Sequence, residues 1–232
     1  MKLITFSGPP SSGKTSVILK AIEYLKSDNY KIGIVKFDCL STYDDLLYEK
    51  AGVTVKVGLS GNLCPDHFFV SNVEDCVSWG IRQGFDFLIS ESAGLCNRCS
   101  PHISGILSVC IIDCLSGVNT PKKIGPMLKL ADIAVITKGD IVSQAEREVF
   151  SFKVKQATPK AFITFVNGIT GQGAFDLSVR LKMAADIPNL QGKKLRFSMP
   201  AALCSYCLGE TKIGEDYQTG NLKKMSFEDV AS

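Results

Sequence analysis

Residues Gly8 to Ser16, "GPPSSGKTS", fit the spacing GxxxxGK[ST] without a gap. That spacing serves phosphate binding. Backbone N–H groups of Gly8, Ser11, Ser12 and Gly13 wrap the phosphates, and the helix that the loop opens, which carries Ser16, adds its partial positive charge. Lys14 reaches the β- and γ-phosphates, while the Thr15 hydroxyl ligates Mg²⁺. Two carboxylates accompany the loop. Glu91 and Asp38 each end a strand-like run, "FDFLIS" and "VKFD". Each is placed to hold Mg²⁺ through water or to orient an attacking water; the plainer alternative is a solvated strand-end carboxylate.

The base has its own signal. "IAVITKGD" sets Thr137, Lys138 and Asp140 at the end of an apolar run, in the spacing [NT]KxD. A carboxylate there accepts from both N1–H and the 2-amino group of guanine, a donor pair that adenine lacks, so GTP is expected over ATP. Lys138 lies over the loop and the base. Asn167, in "VNGITGQG", supplies a loop for the other side of the base.

Five of the nine cysteines sit beside Gly, Pro, Asn or another Cys. Cys64-Pro65-Asp66-His67 offers a thiolate, a carboxylate and an imidazole within four residues, a set that suits Ni²⁺ or Zn²⁺. Such a site is open, and a symmetric dimer closes it by donating the same residues twice. Otherwise Cys64 is simply buried and His67 an ordinary residue of a helix start. Cys96-x-x-Cys99 and Cys204-x-x-Cys207 provide four thiolates, enough for a zinc site or a 4Fe–4S cluster. They lie more than 100 residues apart, so one shared site is an expectation, and a purely structural zinc knuckle is another. His102 is a further candidate ligand. Neither pair has the strand-to-helix context of a redox dithiol. Cys39, Cys76, Cys110 and Cys114 stand singly in apolar surroundings and read as core residues.

The elements that position these groups alternate. Strands are expected at 3–6, 31–37, 53–57, 85–90, 108–113, 133–137 and 161–166. Helices are expected at 14–26, 42–51, 67–83, about 121–131, 143–157 and 173–186. That order gives an α/β fold, a mainly parallel seven-stranded sheet with helices on both faces. Residues 1–187 form this nucleotide-binding domain. From 188 to 232 the periodicity fades, and a metal-stapled extension with little regular structure is expected.

The order of motifs resembles the metallochaperone GTPases of the urease accessory and hydrogenase maturation type, with cobalamin-synthesis relatives further off. "GPPSSGKTS", "LSGNLCPDH", "ESAG", "IIDCLSG", "TKGD" and "TGQG" follow one another as in that family. The departures are His67 one residue later than in Cys-Pro-His, Thr137 in place of Asn, and the two CxxC pairs. The resemblance implies a GTP- and Mg²⁺-dependent switch in which Gly94 meets the γ-phosphate. It implies a metal- or nucleotide-dependent homodimer and a client metalloenzyme or its accessory proteins as partners. The position of Cys96 and Cys99 after "ESAG" is also similar to the cluster cysteine of the nitrogenase iron protein. A nucleotide-gated reductase with a 4Fe–4S cluster across a dimer is therefore an alternative, as is a regulatory or scaffold NTPase with structural zinc.

The remaining numbers narrow the class. The chain has 232 residues, 26 basic and 23 acidic, with a net charge of +3. Such a balance gives no footprint for nucleic acid or an anionic membrane. No run reaches the roughly 18 apolar residues of a span, and "MKLITFSG" enters a strand at once. A cytoplasmic protein is expected.

Overall fold

Alternation between two buried faces explains the sheet. Ile4, Ile34, Ile89, Val109, Ile111 and Val135 fall on one face, while Leu3, Val35, Leu88, Cys110, Ile112, Ala134 and Ile136 fall on the other. Strands apolar on both sides need helices on both sides. The computed structural model describes residues 1–95, 100–197, 210–218 and 223–227.

The strands are β1 (Lys2–Ser7), β2 (Ile32–Asp38), β3 (Thr54–Leu59), β4 (Phe87–Ser92), β5 (Leu107–Asp113), β6 (Ile133–Thr137) and β7 (Phe162–Phe165). They form one seven-stranded sheet in the order β3-β2-β4-β1-β5-β6-β7. Every pairing is parallel. Helices α1 (Lys14–Ser27) and α7 (Ala174–Lys182) cover one face. Helices α3 (Pro65–Arg82) and α6 (Gln144–Ala157) cover the other. Helix α2 (Asp44–Lys50) follows β2 and sends Tyr48 into the core under α1 and α7.

Because the strands are parallel, Ser7, Asp38, Ser92, Asp113 and Thr137 all end at one edge. Loops leaving that edge converge on the end of β1, where open α/β sheets bind ligands.

Some boundaries differ from expectation. The helix anticipated at 121–131 is two short ones, α4 (Thr120–Lys123) and α5 (Pro126–Lys129). Gly125, at φ 66° and ψ −134°, and Pro126, which has no N–H to donate, break the ladder between them. The last helix stops at Lys182 rather than 186. Strand β4 runs to Ser92, so Glu91 lies inside a strand and not at its end.

The tail is held by ordinary packing where it is described. Leu190, Leu195 and Ile213 are buried in the cluster of α3, with Met225 and Phe227 packed against it. Arg196 donates from both terminal nitrogens to Asp132, at 2.8 and 2.7 Å. Cys204 and Cys207, the staple expected from the sequence, lie outside the described residues. Among the described residues no helix is long and apolar enough to cross a membrane.

Candidate functional site

The loop between β1 and α1 has the shape its sequence requires. Gly8 sits at φ 147°, and a Cβ there would stand 2.1 Å from the Ile111 carbonyl oxygen. Gly13 and Ser11 are left-handed. The Lys14 ammonium is buried and donates to the carbonyls of Gly8 (3.0 Å), Pro9 (2.9 Å) and Ala93 (3.4 Å). Burial lowers its pKa, and the nearby Lys36 lowers it further, against the opposing pull of Glu91.

The strand that ends in "ESAG" returns to this loop. Gly94 has φ 71°, and a Cβ on it would lie 1.7 Å from the Gly8 carbonyl oxygen. The backbone just before Cys96 therefore rests directly on the phosphate loop. No side chain fits between them.

Glu91 is fully buried and not a solvated strand-end carboxylate. Its Oε1 accepts from Thr15 Oγ1 at 3.0 Å and from Lys36 Nζ at 2.7 Å. Its Oε2 accepts from the Tyr48 hydroxyl at 2.6 Å. Lys36 also pairs with Asp44 of α2 at 2.6 Å. Lys36 and Glu91 are register partners on β2 and β4, which puts their side chains on one face. Burial pulls the Lys36 pKa down, but the two carboxylates outweigh it and the net shift is upward. Burial, followed by Glu91, pushes the Tyr48 phenol well above its usual range. The sequence reading missed Lys36, Asp44 and Tyr48. A lysine inside "IGIVKFD", a strand otherwise apolar on both faces, is the signal that points to them.

Thr15 Oγ1 and Glu91 Oε1 are adjacent hard oxygen donors beside the phosphate loop. That donor set fits Mg²⁺. Asp38 is differently engaged: its Oδ1 accepts from the Cys39 N–H at 2.8 Å and shapes the turn after β2.

The base end is built from β6 and the loop after β7. Thr137 Oγ1 donates to the Ser12 carbonyl at 2.7 Å, tying the base motif to the phosphate loop. Lys138, at φ 56°, donates to the Ser11 carbonyl at 2.7 Å and stands 3.9 Å from Asp113. Asp140, Arg147, Phe165, Asn167 and Asp176 line one pocket, with the Arg147 guanidinium 4.9 Å from the Phe165 ring centre. Asn167 Oδ1 accepts from the N–H groups of Ile169 and Thr170, so that oxygen shapes the loop. Ser16 lies on α1, where a Cβ on Gly168 would come within 2.8 Å of its own Cβ.

The metal candidates separate. Cys64 is the half-buried residue preceding α3, followed by Pro65 in the first turn, and His67 is buried in that same turn. Burial lowers the His67 pKa. Asp66 is buried with neither carboxyl oxygen in an aligned hydrogen bond, and the same holds for Ser92 Oγ. Burial first, then Cys64, raises the Asp66 carboxyl to about 7, with Ser92 and Lys14 opposing. Among the described residues no three His, Cys, Asp or Glu side chains come together as a metal-holding group. Cys96, Cys99, Cys204 and Cys207 lie outside the described residues.

His102 is no loop ligand. It is buried beneath β1, with Nε2 2.8 Å from the Met127 carbonyl and Nδ1 3.3 Å from Thr5 Oγ1. Since a carbonyl only accepts, Nε2 carries the proton. Burial lowers its pKa to about 4. Cys76 and Cys110 are buried as expected, and burial raises the Cys110 thiol to about 12. Cys39 and Cys114 are only half-buried.

Comparison with known proteins adds an independent line. Residues 2–165 match the family described as "CobW/HypB/UreG, nucleotide-binding domain". The "Uncharacterized protein MJ0120" of Methanocaldococcus jannaschii is 46% identical over 225 residues, spanning 97% of this chain and 96% of that protein. Among solved structures, the hydrogenase maturation factor HypB of Archaeoglobus fulgidus superposes with a TM-score of 0.63 at 21% identity, over 79% of this chain and 89% of that one. HypB of Helicobacter pylori, solved in complex with nickel, gives 0.64 at 20% identity, over 79% and 86%. At that identity the two structures speak to the fold.

Proposed function

The chain belongs to the CobW/HypB/UreG nucleotide-binding family, and on that premise we propose that it is a GTP-hydrolysing switch that binds and delivers a metal ion or cluster during maturation of a metalloenzyme. One observation carries the reading. Ala93 and Gly94, which lead directly into Cys96, lie on the phosphate loop, with the Ala93 carbonyl accepting from Lys14 and Gly94 packed on Gly8. A γ-phosphate arriving at Lys14 must displace or replace those carbonyl contacts. The segment before the cysteines then changes its footing with the nucleotide state.

In this reading Lys14 and the loop amides of Ser11, Ser12 and Gly13 hold the phosphates. Thr15 and Glu91 would hold Mg²⁺, which when bound neutralises charge on the transferring phosphoryl group. Asp38, at the end of β2, is left to orient water. Asp140 selects guanine, with Lys138 over the loop and Thr137 fixing the motif to it. The cargo ligands are Cys64 and His67 with Cys96, Cys99, Cys204 and Cys207. Zn²⁺, Ni²⁺ or a 4Fe–4S cluster is the substrate of that delivery, and a homodimer completes the ligand set. The nickel in the Helicobacter pylori HypB structure supports a metal role by likeness. A cytoplasmic setting suits free thiolates of this kind.

Nucleotide choice tests the first half of the reading. The protein should hydrolyse GTP and bind guanine over adenine nucleotides by about a hundredfold or more. Asp140→Asn turns one acceptor into a donor. It should lose GTP by a similar factor and gain xanthosine triphosphate, whose 2-oxo group accepts. Equal binding of ATP and GTP by the wild type, with D140N unchanged, would remove the GTPase assignment.

A further inference from the structure

The phosphate site contains a cation of its own. Lys36 is an almost wholly buried lysine on β2, one strand in from the sheet's edge, and it is bonded to two carboxylates from two different elements: Glu91 of β4 at 2.7 Å and Asp44 of α2 at 2.6 Å. Its partner oxygen, Glu91 Oε1, is the same atom that accepts from the Thr15 hydroxyl. Tyr48, also of α2, holds the other oxygen. Glu91 thus has both oxygens engaged, and two of its three partners are tied to α2, directly or through Asp44.

A carboxylate whose Oε1 already accepts from an ammonium and a hydroxyl is a poor ligand for a second cation until one of them gives way. Mg²⁺ on Thr15 Oγ1, at roughly 2.1 Å, would meet Glu91 Oε1 and the Lys36 ammonium at close quarters. Two cations sharing one buried carboxylate oxygen repel strongly in a site shielded from water. We infer that Lys36 is a positioning residue that competes with Mg²⁺ for Glu91, and that surrendering Glu91 frees helix α2. The inference rests on the proposed nucleotide function and adds its regulation. Lys36 clamps Asp44, Tyr48 and Glu91 together without Mg²⁺. When Glu91 turns to the metal, Lys36 keeps only Asp44, and the clamp on α2 loses its anchor in β4.

The test combines dissociation of a fluorescent GDP analogue over a Mg²⁺ titration with amide hydrogen exchange of residues 39–50. Lys36→Met keeps the length of the side chain and removes its charge. Its half-maximal Mg²⁺ concentration should fall by about tenfold, within the usual range for two coupled ligands. Its α2 amides should exchange without Mg²⁺ at least as fast as those of the Mg²⁺-loaded wild type, since K36M also gives up the link to Asp44. Lys36→Arg should restore protection. K36M with wild-type Mg²⁺ dependence and wild-type protection overturns the inference. Should K36M not fold, Asp44→Asn decides: it removes the ion pair between Lys36 and α2 but leaves Lys36 and Tyr48 on Glu91. D44N should speed exchange in α2 without lowering the Mg²⁺ requirement, and unchanged protection would overturn the clamp. A wild type that binds no guanine nucleotide at any Mg²⁺ concentration would instead sink the proposed function, and the inference with it.

Discussion

His102 shows what burial does to a single group. Its ring is buried and neutral, at a pKa of about 4 against an ordinary 6.5. The unfolded chain therefore binds a proton that the folded chain refuses between those values. Its contribution to stability is complete above about pH 6.5 and is lost as the pH falls toward 4, by about 3 kcal/mol in all. Asp66 acts with the opposite sign. Raised to about 7, its carboxyl favours the folded state at low pH and weighs against it as the pH rises from the usual carboxylate range through 7. Denaturant titrations between pH 4 and 7 of the wild type and of His102→Gln isolate the histidine by difference, because the Asp66 contribution is common to both. His102→Gln keeps a donor for Met127 and should lower the slope of stability against pH by close to one proton relative to the wild type. An unchanged slope would mean the ring is not neutral and buried. The sequence placed His102 among metal candidates because "CSPH" reads as a loop. It could not show that this segment turns back under β1 to meet Thr5 and Met127, contacts that span up to 97 residues.

The elements were more legible than the contacts between them. Doubly apolar runs marked all seven strands, and the phosphate and base motifs fell at the strand ends that parallel pairing requires. The helix expected through Gly125 and Pro126 ignored a φ > 0 position that only the folded backbone reveals. The pairing of Lys36 with Glu91 depends on register between non-adjacent elements, which local pattern does not encode. Among the element-level contacts, the seat of "ESAG" on the phosphate loop is the most exacting. Gly94→Ala puts a methyl group where the Gly8 carbonyl already stands. One of the two loops must move, and the left-handed backbone adds about 1 kcal/mol of strain. Guanine nucleotide affinity should fall at least tenfold in equilibrium binding, while the sheet remains intact by circular dichroism. Wild-type affinity in G94A would show that the two loops are not coupled.

At the scale of the whole molecule, one sheet edge gathers the phosphate loop, the Glu91 network, the base pocket and the start of α3. The described parts of the tail pack behind α3 through Leu190, Leu195 and Ile213. The cysteines with candidate ligand spacing form two sets: Cys64, the residue before α3, and two CxxC pairs, one following "ESAG" in sequence and one in the tail. Sequence offers thiolates and an imidazole as candidate ligands, because those groups suit soft and borderline metals. It did not indicate whether they meet, since that depends on chain paths separated by more than 100 residues. The central claim is that nucleotide state and metal binding share one loop. The most direct measurement is the affinity of the full chain for Zn²⁺ and Ni²⁺, taken by competition with a chromophoric chelator in the presence of GDP and of a non-hydrolysable GTP analogue. A difference of about tenfold or more between the two states is predicted for at least one metal, with loss of that difference in Cys96→Ser. Equal affinities in both nucleotide states would contradict it.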